Sequence, residues 1–255
     1  IVTVYPMYYV LIRSVSAPEH ALAGDMLLFP KGFDLNSYRV ILSDTTLWRA
    51  YGNTLLYVVV TTLLMLLFCT LCAYPLCMPG LLGKKAVVTY LLVPMYFSGG
   101  LIPTFLVMNR LGLYNNIWGV ILPVVTTTTG IFMYRQHYMS IPLSFVEAAR
   151  IDGSGEFHTF NHIVLPMIKP ALAVQAIFTF VLEWNNYFVP ALIISSSRKK
   201  TLPILIAQLR SADFLKFDMG QVYMLIAIAI MPVIIIYLFL SKFIVAGVAL
   251  GGVKG

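Results

Sequence analysis

The chain has 255 residues, 60% of them hydrophobic and only 11% charged, with a mean hydropathy of +0.87 and a formal charge of +7. So little charge cannot coat a water-soluble domain of this length, which excludes an ordinary soluble enzyme or binding module and marks an integral membrane protein. The basic residues are scattered through short loops, without a basic stripe or interleaved aromatics, so they fit membrane loops and not a nucleic-acid partner.

A helix needs about twenty apolar residues to cross the hydrocarbon core. Runs of that character predict spans at 1–13, 52–77, 86–108, 117–136, 168–194 and 220–245. Ile1 already lies inside an apolar run, so further residues are expected before it, and the first span is read as truncated. The fold class expected is therefore an all-α membrane protein, a single transmembrane domain over 1–255 with six membrane helices. Between the first two spans, Pro18, Gly24 and Pro30–Gly32 signal turns, and one short amphipathic helix is expected over Leu35–Ile41. Cys69, Cys72 and Cys77 share the second span. The CxxC spacing lacks a second pair or a nearby histidine, so these are expected to be buried small hydrophobes, and no metal site is expected.

The later spans carry helix breakers: Pro94, Gly99, Gly100 and Pro103 in the third, Pro123 and Gly130 in the fourth, Pro190 in the fifth, Pro232 in the sixth. In lipid the freed backbone groups must be satisfied by neighbouring helices or water. This predicts a bundle packed around a polar path, a merely kinked bundle being the alternative. The fifth span also contains EWNNYF, residues 183–188. A carboxylate at mid-membrane costs about 2.5–3.5 kcal/mol, so this cluster should not face lipid; it lines a cavity or bonds another helix. On a continuous helix, 183, 186, 187 and 190 fall near one stripe and 185 to the side. Glu183, Asn186 and Tyr187 are therefore expected to face the cavity and Asn185 to bond a neighbour, with Trp184 and Tyr187 offering flat faces to a sugar or else packing in the bundle.

Residues 144–166 are charged, hydroxyl-rich and broken by glycine between long apolar runs. Ser144-x-x-Glu147 has the spacing of a capping box, Asp152–Gly153 supplies a stop, and Ser154 with Glu156 suits the start of a second helix. Phe157 and Phe160, three apart, are expected to form an exposed apolar knob for a partner's groove. The loop SSSRKKT at 195–201, with Arg210 and Lys216 further on against Asp213 and Asp218, either steers an acidic partner or anionic cargo or is simply a solvated loop.

These residues carry a family resemblance. Glu147, Ala148 and Ala149, then Gly153, then Ile163, Leu165 and Pro166 fill every position of the E-A-A…G…I-x-L-P signature of the permease subunits of ABC importers. In that family the stretch is a cytoplasmic coupling helix-turn-helix between helices 4 and 5 that docks into the ATPase. The resemblance thus implies coupling roles for Glu147, Ala148, Ala149, Gly153, Phe157, Phe160, Ile163, Leu165 and Pro166. The tail FIVAGVALGGVKG at 243–255 is similar to that of maltose-transporter-type sugar permeases, where a Gly-rich end reaches between the ATPase subunits; this implies roles for Gly251, Gly252 and Lys254 within a tail at 246–255. Trp184–Tyr187 and Thr201–Pro203 also look like that group, and SGGLIPTFLVMNRLGLYNNIWGVILP (98–123) resembles permeases for oligosaccharides from polysaccharides, acidic ones included.

The resemblance implies a bacterial inner-membrane permease moving a sugar, with a second permease subunit, two ATPase subunits carrying ATP and Mg, and an external solute-binding protein as partners. It also supplies the orientation, because only seven of the seventeen Lys and Arg residues (Lys84, Lys85, Arg135, Arg150, Lys169, Lys242, Lys254) then lie on the cytoplasmic side. No phosphate-binding G-x-x-x-x-G-K-[ST] loop is present, since GLLGKK at 80–85 is too short, and His158 and His162 lack the context of a zinc helix. Other cargoes, such as peptides, amino acids or osmolytes, remain alternatives within the class. A membrane-embedded enzyme built on Glu183, Asn185 and Asn186, or a membrane scaffold, are the alternatives outside it.

Overall fold

The computed structural model describes residues 5–17, 20, 28–211 and 219–252, and among them every regular element is helical. In chain order the helices used below are α1 (Tyr5–Ser14), α2 (Asn36–Ser43), α3 (Thr45–Ala73), α4 (Lys84–Tyr96), α5 (Leu101–Arg110), α6 (Ile117–Ile121), α7 (Thr128–Met139), α8 (Ser144–Ile151), α9 (Glu156–Met167), α10 (Lys169–Trp184), α11 (Phe188–Ile193), α12 (Leu202–Ser211) and α13 (Met219–Gly252).

The expected short helix is present as α2. Asp34 Oδ1 accepts the Asn36 N–H at 2.7 Å at its start, and Asp44 Oδ1 repeats the device on Thr46 N–H at the start of α3. With 29 residues, α3 reaches about 44 Å at about 1.5 Å per residue, enough to cross a bilayer. Its threonines are reconciled with an apolar setting by bonding back along the helix: Thr54 Oγ1 donates to Ala50 O at 2.8 Å and Thr70 Oγ1 to Leu66 O at 2.7 Å.

The six continuous spans expected from hydropathy are only partly found. Among the described residues two helices are long and apolar enough to cross a membrane, Thr45–Cys77 and Gly220–Lys242, the second with Pro232 inside it. Three further stretches qualify only as bent pairs: α4 with α5 at 116°, Ile117–Val124 with α7 at 45°, and α9 with α10 at 77°. The predicted third span is thus not one rod but two helices broken at residues 97–100, where Gly99 and Gly100 sit. The predicted fifth span ends at Trp184 and resumes at Phe188. The described part of the first span is the ten residues of α1.

The described residues divide into two compact units. One comprises Ile1–Tyr57, Asn115–Ile117 and Trp184–Ile236; the other comprises Val58–Tyr114, Trp118–Glu183 and Tyr237–Gly255. In the second unit Met65, Cys69 and Ala73, at helical spacing on α3, pack with Ile131, Tyr134 and Tyr138 of α7 and with Phe160, Val164 and Ile168. The three cysteines do not share one environment as expected: Cys69 is buried, Cys77 half-buried and Cys72 exposed, because only the first lies on that packed stripe of α3. Large apolar side chains such as Tyr90, Phe97, Leu182 and Phe239 stand exposed, as in a chain whose surface meets lipid or other subunits.

The breaks are stitched by side chains within each unit. Thr128 Oγ1 donates to Leu91 O at 3.0 Å, just before Pro94 on α4, and Thr127 Oγ1 caps α7 by accepting the Gly130 N–H at 3.1 Å. Gly130 is the point of closest approach, since a Cβ there would lie 2.8 Å from Thr127 Oγ1 and 3.2 Å from both Cys69 Sγ and Met65 Cε. We therefore expect Gly130→Ala to displace the cap and destabilise the protein by about 1–3 kcal/mol. Gly52→Ala, where nothing lies within 4 Å of the new Cβ, should be neutral or better. Thermal unfolding in detergent compares the two, and equal midpoints would contradict the packing described.

Candidate functional site

The polar insert folds as two helices around a tight turn. The capping box does not form. Pro142 and Leu143 turn the chain into α8, Leu143 is the preceding residue with helical φ and ψ of −60° and −25°, and no side chain caps the end. Ser144 is already inside the first turn, where its hydroxyl is no longer placed to receive the orphan amides. The stop is as expected. Gly153 has φ +78°, its N–H donates to Arg150 O at 3.0 Å, and Ser154 N–H donates to Ala149 O at 2.9 Å. This reciprocal pair closes the helix and needs a residue at ease in the left-handed region.

Gly155, not Ser154, precedes the second helix. Ser154 Oγ instead accepts from the buried Thr159 hydroxyl at 3.0 Å. Across the turn, Arg150 Nη2 and Glu156 Oε1 form an ion pair at 2.7 Å, and Tyr74 OH donates to the other Glu156 oxygen at 3.4 Å. The pair is largely exposed, so its worth lies in fixing the angle of the two helices more than in stability.

α8 is two-faced. Val146 and Ala149 are buried, while Phe145, Glu147, Ala148 and Ile151 are exposed, Ile151 at 85%. The expected paired knob of Phe157 and Phe160 is corrected. Phe157 is 72% exposed, but Phe160 is 4% exposed and its ring lies 5.1 Å from that of Tyr74. Three residues on a helix turn through about 300°, which here leads from the outer face into the core. The chain then widens into a π-turn over Phe160–Val164. Pro166, which has no N–H for the His162 carbonyl, follows directly, and such a widened turn accommodates it. Ile163, Leu165 and Pro166 are half-buried, Leu165 against the core that holds Phe160. His158 and His162 stack at 4.0 Å on the exposed side. The motif thus separates into an outward set (Glu147, Ala148, Gly153, Phe157) and an inward set (Ala149, Phe160, Leu165). A cavity of about 380 Å³, unforeseen in the sequence, lies behind α8 against Tyr74, Lys84, Tyr138, Leu143 and Val146.

The polar cluster of the fifth span lies at a helix break. α10 ends at Trp184, residues 185–187 are irregular, and α11 starts at Phe188. The expected wheel therefore does not carry past Trp184. Asn186, expected to face the cavity, is half-buried: its Nδ2 donates to Tyr57 OH at 3.3 Å and its Oδ1 accepts the Val189 N–H at 3.4 Å, covering a donor freed at the start of α11. Asn185 is exposed and, with Tyr187, lines a cavity of about 270 Å³ bounded by Leu202, Ile206 and Ala229. Trp184 is 2% exposed, its Nε1–H donates to Ala229 O at 2.9 Å, and its ring meets Tyr51 edge-on at 5.6 Å. Trp184 is thus packed in the bundle, and it borders the same cavity as the exposed Tyr187. Glu183 is half-buried at the end of the preceding unit.

At the chain end α13 runs through Gly251 and Gly252, while Lys254 lies outside the described residues. Arg210, Asp213, Lys216 and Asp218, expected to matter for the charge of the loop region, lie among residues whose side chains are not described. Asn53, Thr54 and Asn115, which hold the loop at 195–201, had no sequence signal beyond being polar residues at the edges of apolar runs.

Comparison with known proteins bears on what this geometry serves. The chain is 30% identical to the polygalacturonan/rhamnogalacturonan transport system permease protein YtcP of Bacillus subtilis, over 100% of this chain and 94% of that protein. It is 31% identical to Protein LplC of the same organism, over 100% of this chain and 90% of the relative. A chain in the crystal structure of a bacterial ABC transporter involved in the import of the acidic polysaccharide alginate superposes with a TM-score of 0.87 at 28% identity, covering 94% of this chain and 90% of that one. Residues 75–249 match the profile of the binding-protein-dependent transport system inner membrane component, so the chain belongs to that family of membrane transport subunits.

Proposed function

We propose that this chain is one of two permease subunits of an ATP-driven importer in the bacterial cytoplasmic membrane. Its cargo is an oligosaccharide, most consistently an acidic one derived from a polysaccharide. The observation that carries the reading is similarity along essentially the whole chain to a permease named for polygalacturonan and rhamnogalacturonan and to a chain of an alginate importer. An external solute-binding protein delivers the cargo, and two ATPase subunits hold ATP and Mg. This chain supplies the path and the linkage.

In this reading α8 and α9 are the cytoplasmic coupling unit between the fourth and fifth of six spans. The outward Glu147, Ala148 and Phe157, with Ile151, meet the ATPase, and the inward Ala149, Phe160, Ile163, Leu165 and Pro166 seat the unit on the bundle. A stapled, glycine-closed turn lets closure of the ATPase pair move both helices as a rigid body and switch the access of the bundle. Asn185 and Tyr187 line the path; Asn186 and Trp184 hold its wall. The tail that begins at Gly251 and Gly252 contributes to the contact with the ATPase pair.

Reconstituted with its partners in vesicles, the importer should take up galacturonate oligosaccharides in preference to neutral ones of equal length. Uptake of neutral sugars only would reject the acidic cargo. Gly153→Pro should preserve membrane insertion yet abolish cargo-stimulated ATP hydrolysis, because proline cannot adopt φ +78°. Phe157→Asp should weaken ATPase association without changing the fold. Normal coupling in both variants would refute the assignment of the unit.

The path has its own test. Single cysteines at 185 and 187, with Cys69, Cys72 and Cys77 replaced, should react with a water-soluble thiol reagent at rates that change with ATP, and a cysteine at 184 should stay protected. Failure of both 185 and 187 to react in every nucleotide state would move the path elsewhere.

A further inference from the structure

The cavity of about 380 Å³ behind α8 lies at the joint between the two-helix insert and the rest of its compact unit. Its walls come from both sides of that joint. Tyr74 and Met78 follow the end of α3, Tyr138 belongs to α7, Val146 to α8 and Val164 to the π-turn. Tyr74 and Met78 also touch the ion pair that fixes the turn of the insert. Tyr74 OH donates to Glu156 Oε2 at 3.4 Å, and Met78 Sδ accepts from Arg150 Nη2 at 3.9 Å. The volume falls within the range of roughly 300–1,000 Å³ found for small-molecule sites.

Most polar groups on these walls are already engaged. Tyr74 is committed to Glu156, and the Cys77 thiol donates to the carbonyls of Ala73 and Arg135, each at 3.4 Å. The Tyr138 hydroxyl is buried away from solvent. Lys84 is the one charged wall residue. It is half-buried, and its ammonium has no carboxylate or hydrogen-bond partner among the described residues. Lys84 is also the first residue of α4, which follows Gly83 at φ +73° and starts without a side-chain cap. The free amides of that first turn carry the positive end of the helix, which adds to the ammonium charge. The other wall residues are methionine, proline and aliphatic side chains. One cation beside an apolar chamber suits a ligand with one anionic group and a hydrocarbon body. A sugar or a nucleotide would leave several polar groups without partners there.

We propose that this cavity is an effector site for a small amphiphilic carboxylate of the fatty-acid type, with Lys84 at the first turn of α4 as the anion-binding group. The effect on coupling rests on the importer reading above, whereas the binding itself does not. A ligand stabilises the conformation that holds its site, so an occupant here favours the present seating of α8 on the bundle. It therefore opposes the displacement of α8 that ATP-driven closure requires, and it lowers turnover without touching the nucleotide or the transport path. An anionic phospholipid shares the charge but not the single chain, and the test separates the two.

The test uses the complete importer in nanodiscs of zwitterionic phospholipid, with Cys72→Ser removing the exposed thiol. Cys77 lines the cavity and reports its occupancy through the rate of its modification by a small neutral thiol reagent, followed by mass spectrometry. Decanoate should slow that modification in a saturable way, decanol should require far higher concentrations, and acetate should have no effect. Lys84→Gln should raise the decanoate concentration required about tenfold, as for the loss of one charge-assisted hydrogen bond, with Lys84→Arg close to the wild type. Over the same concentrations decanoate should reduce cargo-stimulated ATP hydrolysis severalfold, with the same shift in Lys84→Gln. Unchanged Cys77 modification at every decanoate concentration that leaves the discs intact overturns the site. Equal protection by decanol and decanoate, or an inert Lys84→Gln, overturns the anion-binding role. Protection that follows added anionic phospholipid and not decanoate also overturns the proposal, and protection with undiminished ATP hydrolysis overturns the effector role. If the wild-type complex shows no cargo-stimulated hydrolysis even without decanoate, the importer reading has failed, while the Cys77 measurement still decides the site.

Discussion

Wherever an apolar helix breaks, its freed amides and carbonyls must find partners inside the protein, because hydrocarbon offers none. The rest of this structure follows from that constraint. At the break after Trp184, Asn186 covers the Val189 amide and reaches Tyr57. Near Pro94, the Thr128 hydroxyl takes the Leu91 carbonyl, and Thr127 covers the start of α7. Within α10, Gln175 donates to Thr179, and Thr179 donates to Met65 Sδ of α3. Polar residues of the spans thus serve the bends of the helices, and Asn185 and Tyr187 in addition border a cavity.

A related economy governs the two-helix insert. Its angle is set by a glycine-closed turn and by the Arg150–Glu156 pair, and its orientation by Phe160 and Leu165 against the core of Tyr74 and Tyr138. Of these, Phe160 and Leu165 face inward, while Gly153, Arg150 and Glu156 are exposed at the turn. The exposed face of the two helices, with Phe145, Ile151 and Phe157 beside Glu147, is thus carried on a joint fixed by its own turn and core contacts. The loop at 195–201 is likewise held from outside itself, since Asn53, Thr54 and Asn115 bond its backbone.

Composition and order alone determined that the chain lives in a membrane, where its apolar stretches fall, and that 144–166 is a helix, a turn and a helix. Those features follow from local rules: apolar run length, the restriction of φ > 0 largely to glycine, and the absence of a proline amide. Tertiary structure decided what periodicity could not. Phe157 and Phe160 are equally apolar, yet one is outside and the other in the core. Asn185 and Asn186 are chemically identical, yet the helix ends just before them, so the wheel that assigned them no longer applied. Ser144 had the right spacing for a cap but entered the helix one residue early. Lys199 and Lys200 were spent on Asn115 and Gln208, partners 84 and 8 residues away. In each case the outcome was set by which neighbour reached a group first in three dimensions, and that information lies in no single stretch of the chain.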